Sequence, residues 1–342
     1  MSKFAIIDAG NKKLWDEFIT SHPEANCLQS WDFYEFHAAR GNQITRRIAV
    51  DENGNIIAAY AGVVEAAKRG RYLAIAGGPI LDWGKKPLVD AVFDDMKLEG
   101  KRLRCVFVRL RPQLELSSNS LKLMRDHHFQ KAPMYLSVEY AGILDLTKSE
   151  EEILKHASQG FRRKLRKAAK NDIALETTQD PQIIDDYYAL ELKHAERQGY
   201  VPFTKSFLGK QFKAFFDNDE AIMYIAKKDG EILAMNFMIF YGNEASYHYG
   251  VSSDLGTKYS AAPLLHMEAM REARNRNIQR YNLWGIVGTE ETTHRFYGVS
   301  EFKRSFGCDE LKYTPAHDYV LNSIKYQLTK LVETARKRHR HV

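Results

Sequence analysis

The sequence predicts two similar α/β (α+β) domains in tandem. Three observations carry that reading. Two apolar hairpins are signalled by Asn-Gly or Asp-Gly between strand-like runs. Each hairpin is followed by the same succession of strand, loop, helix and strand. The length of 342 residues is enough for two domains of ordinary size, each with its own core.

In chain order, the first hairpin is Arg46-Arg47-Ile48-Ala49-Val50, the turn Asp51-Glu52-Asn53-Gly54-Asn55, then Ile56-Ile57-Ala58-Ala59-Tyr60. A strand from Tyr72 to Ile75 follows, then the loop Gly77-Gly78-Pro79, a helix near Lys86 to Leu98 and a strand from Arg104 to Val108. The second hairpin runs from Ala221 to Ala226 through Lys227-Lys228-Asp229-Gly230-Glu231 into Ile232 to Met235. A strand from Ala245 to Gly250, a loop from Ser252 to Lys258, a helix and a strand from Tyr281 to Ile286 complete the parallel. That second helix has Ser260 near its start, Pro263 in its first turn, and Leu265, Ala269, Met270 and Ala273 at helical spacing. A repeat of this size implies two domains, since solenoid repeats are much shorter. Hairpin, strand, helix, strand is the order of an acyltransferase domain of the GNAT type.

An apolar fraction of 44% and a charged fraction of 27% are those of a soluble globular protein, and no apolar run reaches the ~18 residues of a membrane span. The first residues show no signal-peptide pattern. Cys27, Cys105 and Cys308 are odd in number and far apart, which suggests neither a disulfide framework nor a zinc site and fits a reduced, cytoplasmic location. The net charge of +6 is unevenly spread. Between the halves, Phe161, Leu165 and Ala168/Ala169 form one apolar helix face, while Arg162, Arg163, Lys164, Arg166, Lys167 and Lys170 make the rest cationic with no acid among them. Such a run is either a solvated face or a surface for a polyanion, and the lack of interleaved acids favours the polyanion. Near the C-terminus, Ile324, Leu328 and Leu331/Val332 form a stripe ahead of Arg336-Lys337-Arg338-His339-Arg340-His341, read as a docked helix with a frayed basic tail.

The stretch from Tyr281 to Gly307 opens as a short apolar strand, passes through a polar loop and ends in Phe302-Lys303-Arg304-Ser305-Phe306-Gly307. A cation flanked by aromatics before a glycine is either an amphipathic segment ending at a glycine cap or part of a reactive site. Several separated motifs add to it. They are His22-Pro23 with Leu28-Gln29-Ser30 and Gly41; the basic run from Phe161 to Lys170; Tyr187-Tyr188 with Arg197-Gln198-Gly199-Tyr200; Tyr247-His248-Tyr249-Gly250; Ala261-Ala262-Pro263-Leu264-Leu265; Leu283-Trp284-Gly285-Ile286; and Phe302-Lys303 with Phe306-Gly307. In this order and spacing the chain resembles the Fem-type (FemABX) aminoacyltransferases that build peptidoglycan cross-bridges, over nearly its whole length.

The resemblance implies two GNAT-like domains in tandem, residues 1–145 plus 318–342 on the precursor-binding side and 146–317 with the catalytic loop and the basic helix 158–170. No heptad stretch supplies the coiled-coil arm of some members, so the chain is similar to the armless ones. The implied reaction moves an amino acid from aminoacyl-tRNA to an amino group of the stem peptide of a peptidoglycan precursor, either UDP-MurNAc-pentapeptide or lipid II. The implied location is the cytoplasm, with peripheral contact at the inner face of the membrane. Phe302 and Lys303 are the implied catalytic pair. Aminoacyl transfer passes through an oxyanion, and a lysine cation suits that charge better than it suits general-base work. Tyr200, Tyr247, Tyr249 and Trp284 would line the precursor site, the two tyrosines of the strand facing one side. Arg197 and Lys205 are both candidates for the precursor's diphosphate. His37 stands where a lysine is expected on that diphosphate, and Arg109 and Arg111 stand where relatives place an acid, so no general base is assigned.

No metal or other cofactor is required. The loop from Asp254 to Ala261 lacks the glycine-rich turn that would hold the pyrophosphate of an acyl-CoA, which leaves a tRNA donor, and the basic helix fits that donor. Two alternatives stand beside this reading. One is tRNA-dependent transfer to a protein N-terminus or small amine. The other is a non-catalytic module that binds nucleic acid or a membrane surface.

Overall fold

The computed structural model describes residues 4–67 and 70–340. The chain forms two compact units. The first holds Met1–Tyr140, Glu291–Arg295 and Leu311–Val342, the second Ala141–Glu290 and Phe296–Glu310. No helix among the described residues is long and apolar enough to cross a membrane.

The first unit is built on an eight-stranded sheet. Its order is Phe4–Asp8, Ile44–Asp51, Ile56–Ala67, Gly70–Ala76, Phe107–Arg111, His317–Val320 and Gln130–Lys131, with Ile80–Leu81 paired to Ile56–Ala67. The second has a seven-stranded sheet in matching order, read from its far edge: Ala174–Thr178, Ala221–Lys228, Glu231–Tyr241, Glu244–Ser252, Arg280–Gly285, Tyr140–Asp145 and Asp309–Lys312. Both hairpins of the sequence are present. The tight turn of the second takes positive φ at Asp229 and Gly230 (50° and 82°), as a two-residue hairpin turn requires.

Both sheets contain a parallel step, Gly70–Ala76 beside Phe107–Arg111 and Glu244–Ser252 beside Arg280–Gly285. Parallel neighbours need a crossover, supplied by the helices Lys86–Arg102 and Ala261–Asn275. The latter buries Leu265, His266, Ala269, Met270 and Ala273. The strand lying between the parallel partner and the last edge strand does not follow chain order. After Gln130–Lys131 the chain's next strand, Tyr140–Asp145, enters the second sheet; after Asp309–Lys312 the next, His317–Val320, enters the first.

Three local expectations are corrected. The predicted strand from Arg104 starts instead at Phe107, because Arg104 takes a left-handed turn (φ 55°) to leave the preceding helix. The predicted loop from Ser252 is a strand end and a helix, Asp254–Tyr259, capped by Ser253. The C-terminal helix, Ser323–Arg340, docks, but not by its apolar stripe. Tyr326, Thr329 and Glu333 are its buried residues, while Ile324, Leu328, Leu331 and Val332 are exposed. The reason is Arg109. It is 2% exposed, and its guanidinium grips Asp318 through two nitrogens (2.7 and 2.8 Å) and Glu333 at 2.8 Å. Tyr326 donates to the same Asp318 at 2.9 Å. A helix that must present Tyr326 and Glu333 inward turns its leucines outward. The side chains of the predicted basic tail, Arg336 to His341, lie outside the described residues.

Removing one partner of a buried ion pair strands the others in a low-dielectric interior. Arg109→Met is therefore expected to lower unfolding stability by about 3–5 kcal/mol, read as a drop in the urea midpoint at neutral pH.

Candidate active site

The second unit's parallel strand ends in an unusual backbone. Trp284 has φ 66°, a conformation that costs a bulky residue about 1–3 kcal/mol, and Asn282 Oδ1 holds it by accepting from the Trp284 amide at 2.8 Å. Beyond the turn, Ser300 Oγ accepts from the Val287 amide at 3.0 Å, pinning the helix Tyr297–Arg304 to the strand's exit. This aims Lys303 back at the strand, where its Nζ donates to the Gly285 carbonyl at 2.7 Å. The helix then stops at Gly307, whose φ of +77° suits glycine, and a Cβ there would sit 2.5 Å from the His156 carbonyl oxygen. Through this close approach Ser158 N donates to Ser305 O at 2.9 Å, and Phe161 packs on Phe306 at 4.3 Å between centroids. The glycine that ends the helix in one reading of the sequence is present, and it seats the helix of the buried lysine against the start of the basic helix.

Lys303 is 7% exposed and forms no ion pair among the described residues. Burial pushes its pKa down to about 7, against a small opposing pull from Cys308. Its surroundings are aromatic. The Tyr247 ring lies 5.7 Å from Nζ, and Phe302 packs on Phe306 and on the His266 ring. His266 is fully buried, shares a 2.7 Å hydrogen bond with the Tyr281 hydroxyl through Nδ1, and leaves Nε2 without a hydrogen-bond partner. Burial, helped by Lys303, pushes its pKa down to about 3, so the imidazole is neutral.

The two tyrosines of the strand do not face one side. A bulge between Phe237/Met238 and their partners sets Tyr249 opposite Phe237 and Tyr247 opposite Met238, and successive strand residues point to opposite faces. His248 is the extra residue. Tyr247 consequently meets His266 edge to face at 4.5 Å between centroids, whereas Tyr249 donates to Gln211 Oε1 at 2.8 Å. The Gln211 amide meets His248 Nε2 at 3.0 Å, and Trp284 packs on the His248 ring at 5.0 Å. Gly250 leaves the space that the Tyr247 hydroxyl occupies.

The other predicted residues are dispersed. Tyr200 donates to Glu191 at 3.0 Å, a buried carboxylate whose pKa is raised by desolvation. Arg197 is held by Asp254 and donates to the Ser252 carbonyl at 2.6 Å. Lys205 pairs with Asp185 at 2.6 Å on the surface. His37, in the first unit, is buried against Phe33 and Phe36, and burial with Arg40 nearby pushes its pKa down to about 4. Along the basic helix Gln159–Ala168, Arg162 donates to the Leu154 and Lys155 carbonyls and Lys167 to the Lys258 carbonyl. Arg163, Lys164, Arg166 and Lys170 are exposed, with no carboxylate partner among the described residues. The structure thus gathers Lys303, Phe302 and Tyr247, with the carbonyl next to Trp284. His266, Tyr281, Glu191 and Gln211 were missed by sequence reasoning. The one available signal was a histidine at a buried register of an apolar helix.

The sequence profile of the FemAB family matches residues 11–132 and 218–334. The chain is 24% identical over 261 residues to the UDP-N-acetylmuramoylpentapeptide-lysine N(6)-alanyltransferase of Weissella viridescens, covering 72% of this chain and 76% of that one. It is 20% identical to the lipid II:glycine glycyltransferase of Staphylococcus epidermidis, covering 93% of each. Among solved structures, FemX superposes with a TM-score of 0.85 at 18% identity, covering 96% of this chain and all (100%) of that one. A tandem GNAT protein from the clavulanic acid biosynthesis pathway superposes at 0.54 and 10% identity, covering 94% and 98%. These likenesses agree with the two GNAT-like sheets described above.

Lys303 binds its proton less tightly in the folded chain than in the unfolded one, so the unfolded state holds more protons between pH 7 and 10.5 and stability rises with pH across that window. Lys303→Met removes this penalty. The variant is expected to be more stable than wild type at pH 7 by on the order of 1 kcal/mol or more, and so to melt at a higher temperature. The advantage should shrink toward pH 10, as followed by calorimetry.

Proposed function

The chain belongs to the FemAB family, and from that premise we propose that it transfers an amino acid from aminoacyl-tRNA to an amino group of the stem peptide of a peptidoglycan precursor, building a cross-bridge in the cytoplasm. It is an aminoacyltransferase, similar to enzymes whose names state peptidoglycan precursors as acceptors. The single observation that carries the chemical reading is Lys303, desolvated and anchored to a carbonyl rather than to an acid.

The acceptor amine attacks the ester carbonyl of the charged tRNA. The C–N bond forms, the C–O bond to the terminal ribose breaks, and the proton lost by the amine balances the ribose oxygen, which leaves as a hydroxyl. Negative charge builds on the carbonyl oxygen between these events. Lys303 spends one N–H on Gly285 and keeps two for that oxygen. With no carboxylate to neutralise it beforehand, its cation is stabilised only when the oxyanion appears, which favours the transition state over the ground state. Phe302 and Tyr247 keep water from the ammonium. The exposed, unpaired cations of the basic helix supply the phosphate contacts that a tRNA requires.

A transfer assay with charged tRNA and either UDP-MurNAc-pentapeptide or lipid II tests the reading by the mass gained on the acceptor. If the protonated lysine acts, the ratio of wild-type to Lys303→Met rates is about 100-fold or more below pH 7 and falls as pH rises through about 7. A ratio that does not change with pH, or that grows, overturns the assigned role. Replacing Arg163 and Arg166 with glutamine should weaken binding of charged tRNA and lower the log–log salt slope by about 1–2, with no loss of fold by circular dichroism.

A further inference from the structure

The helix Ser323–Arg340 is docked in the reverse sense for a helix in water. Its buried face is polar: Tyr326, Thr329 and Glu333, clamped by Arg109 and Asp318. Its outward face carries Ile324, Leu328, Leu331 and Val332, which are 81%, 63%, 69% and 45% exposed. At about 100° per residue these four fall in one stripe roughly 100° wide, centred about 140° around the helix from Tyr326, Thr329 and Glu333. One exposed leucine is ordinary; a continuous stripe of aliphatics marks a surface that something covers.

The charge around the stripe says what covers it. Lys325 and Lys330 are exposed on the same helix. Its one carboxylate, Glu333, is buried on Arg109, and the basic run Arg336-Lys337-Arg338-His339-Arg340-His341 lies beyond it in the sequence. The partner must therefore be apolar in its interior and anionic at its surface. A second copy of a chain with net charge +6 would bring cations against cations. A nucleic acid offers phosphates but no apolar layer for four aliphatic side chains. We infer that this helix lies on the surface of an anionic phospholipid bilayer, with Ile324, Leu328, Leu331 and Val332 in the headgroup layer and Lys325, at the edge of the stripe, at the lipid phosphates.

Flotation of the full chain with phosphatidylcholine vesicles containing roughly a third phosphatidylglycerol tests this. The expected result is co-flotation that weakens with salt and is absent with pure phosphatidylcholine. In Leu328→Gln/Leu331→Gln the bound fraction should fall at least about fivefold with the melting temperature unchanged, because both side chains are already in water. Failure of the wild type to float, or equal flotation of the double variant, overturns the inference. So does a solution dimer that the double variant converts to monomer, which would assign the stripe to a second copy. So does a loss of tRNA affinity in the double variant without loss of flotation. Vesicle binding is read without aminoacyl transfer, so its failure leaves the proposed reaction standing.

Discussion

At the centre of the second unit a buried lysine, Lys303, is held by a backbone carbonyl and has no counter-ion among the described residues. A buried cation is ordinarily satisfied by a carboxylate, which would fix its charge and cancel it. Here a backbone carbonyl holds Lys303 in place and cancels little, so the charge remains available. The arrangement has requirements that propagate outward. The carbonyl must leave the strand direction, hence the left-handed Trp284 and the Asn282 amide group bracing it. The helix must end within reach of the lysine's neighbours, hence a glycine where a Cβ would strike the His156 carbonyl. The neutral His266, hydrogen-bonded to Tyr281 rather than to an acid, fills the pocket without adding a charge of either sign.

The remaining cations divide by how fully they are already satisfied. Arg109 is committed to Asp318 and Glu333, Arg197 to Asp254, and Lys205 to Asp185. Four cations of the basic helix have no such partner among the described residues, and the helix starts where the Lys303 helix ends. The cationic helix and the Lys303 helix are therefore joined through a few hydrogen-bonded residues, Ser158 to Ser305, rather than through a flexible linker.

The parts of this architecture written in local chemistry were legible in the sequence. Asp229-Gly230 specifies its turn because only such residues tolerate two positive φ values in succession, and Gly307 marks its helix end for the same reason. What was not legible depends on partners remote in the chain. The bulge at His248 arises from how Phe237 and Met238 meet their neighbours, and alternation alone placed Tyr247 and Tyr249 together. The rotation of the last helix is set by an arginine more than two hundred positions earlier, at 109, reaching a glutamate at 333. Periodicity identifies an apolar stripe but cannot say whether the protein or something else covers it. His266 was overlooked because a single polar residue on a buried helix face carries no periodic signal.

The crossed strands impose an order of events on synthesis. Domains emerging from a ribosome ordinarily fold in turn, the first completing before the second is made. Here the first sheet cannot close between Phe107–Arg111 and Gln130–Lys131 until His317–Val320 has been translated, after nearly all of the second unit. Tyr140–Asp145, made early, waits for Arg280–Gly285. The nascent chain thus carries an open seam for most of its synthesis. A gene broken after Asp145 would encode two proteins each lacking an interior strand, and one broken before Tyr140 would still leave the first without His317–Val320. Fission of such a tandem therefore always leaves the first product incomplete.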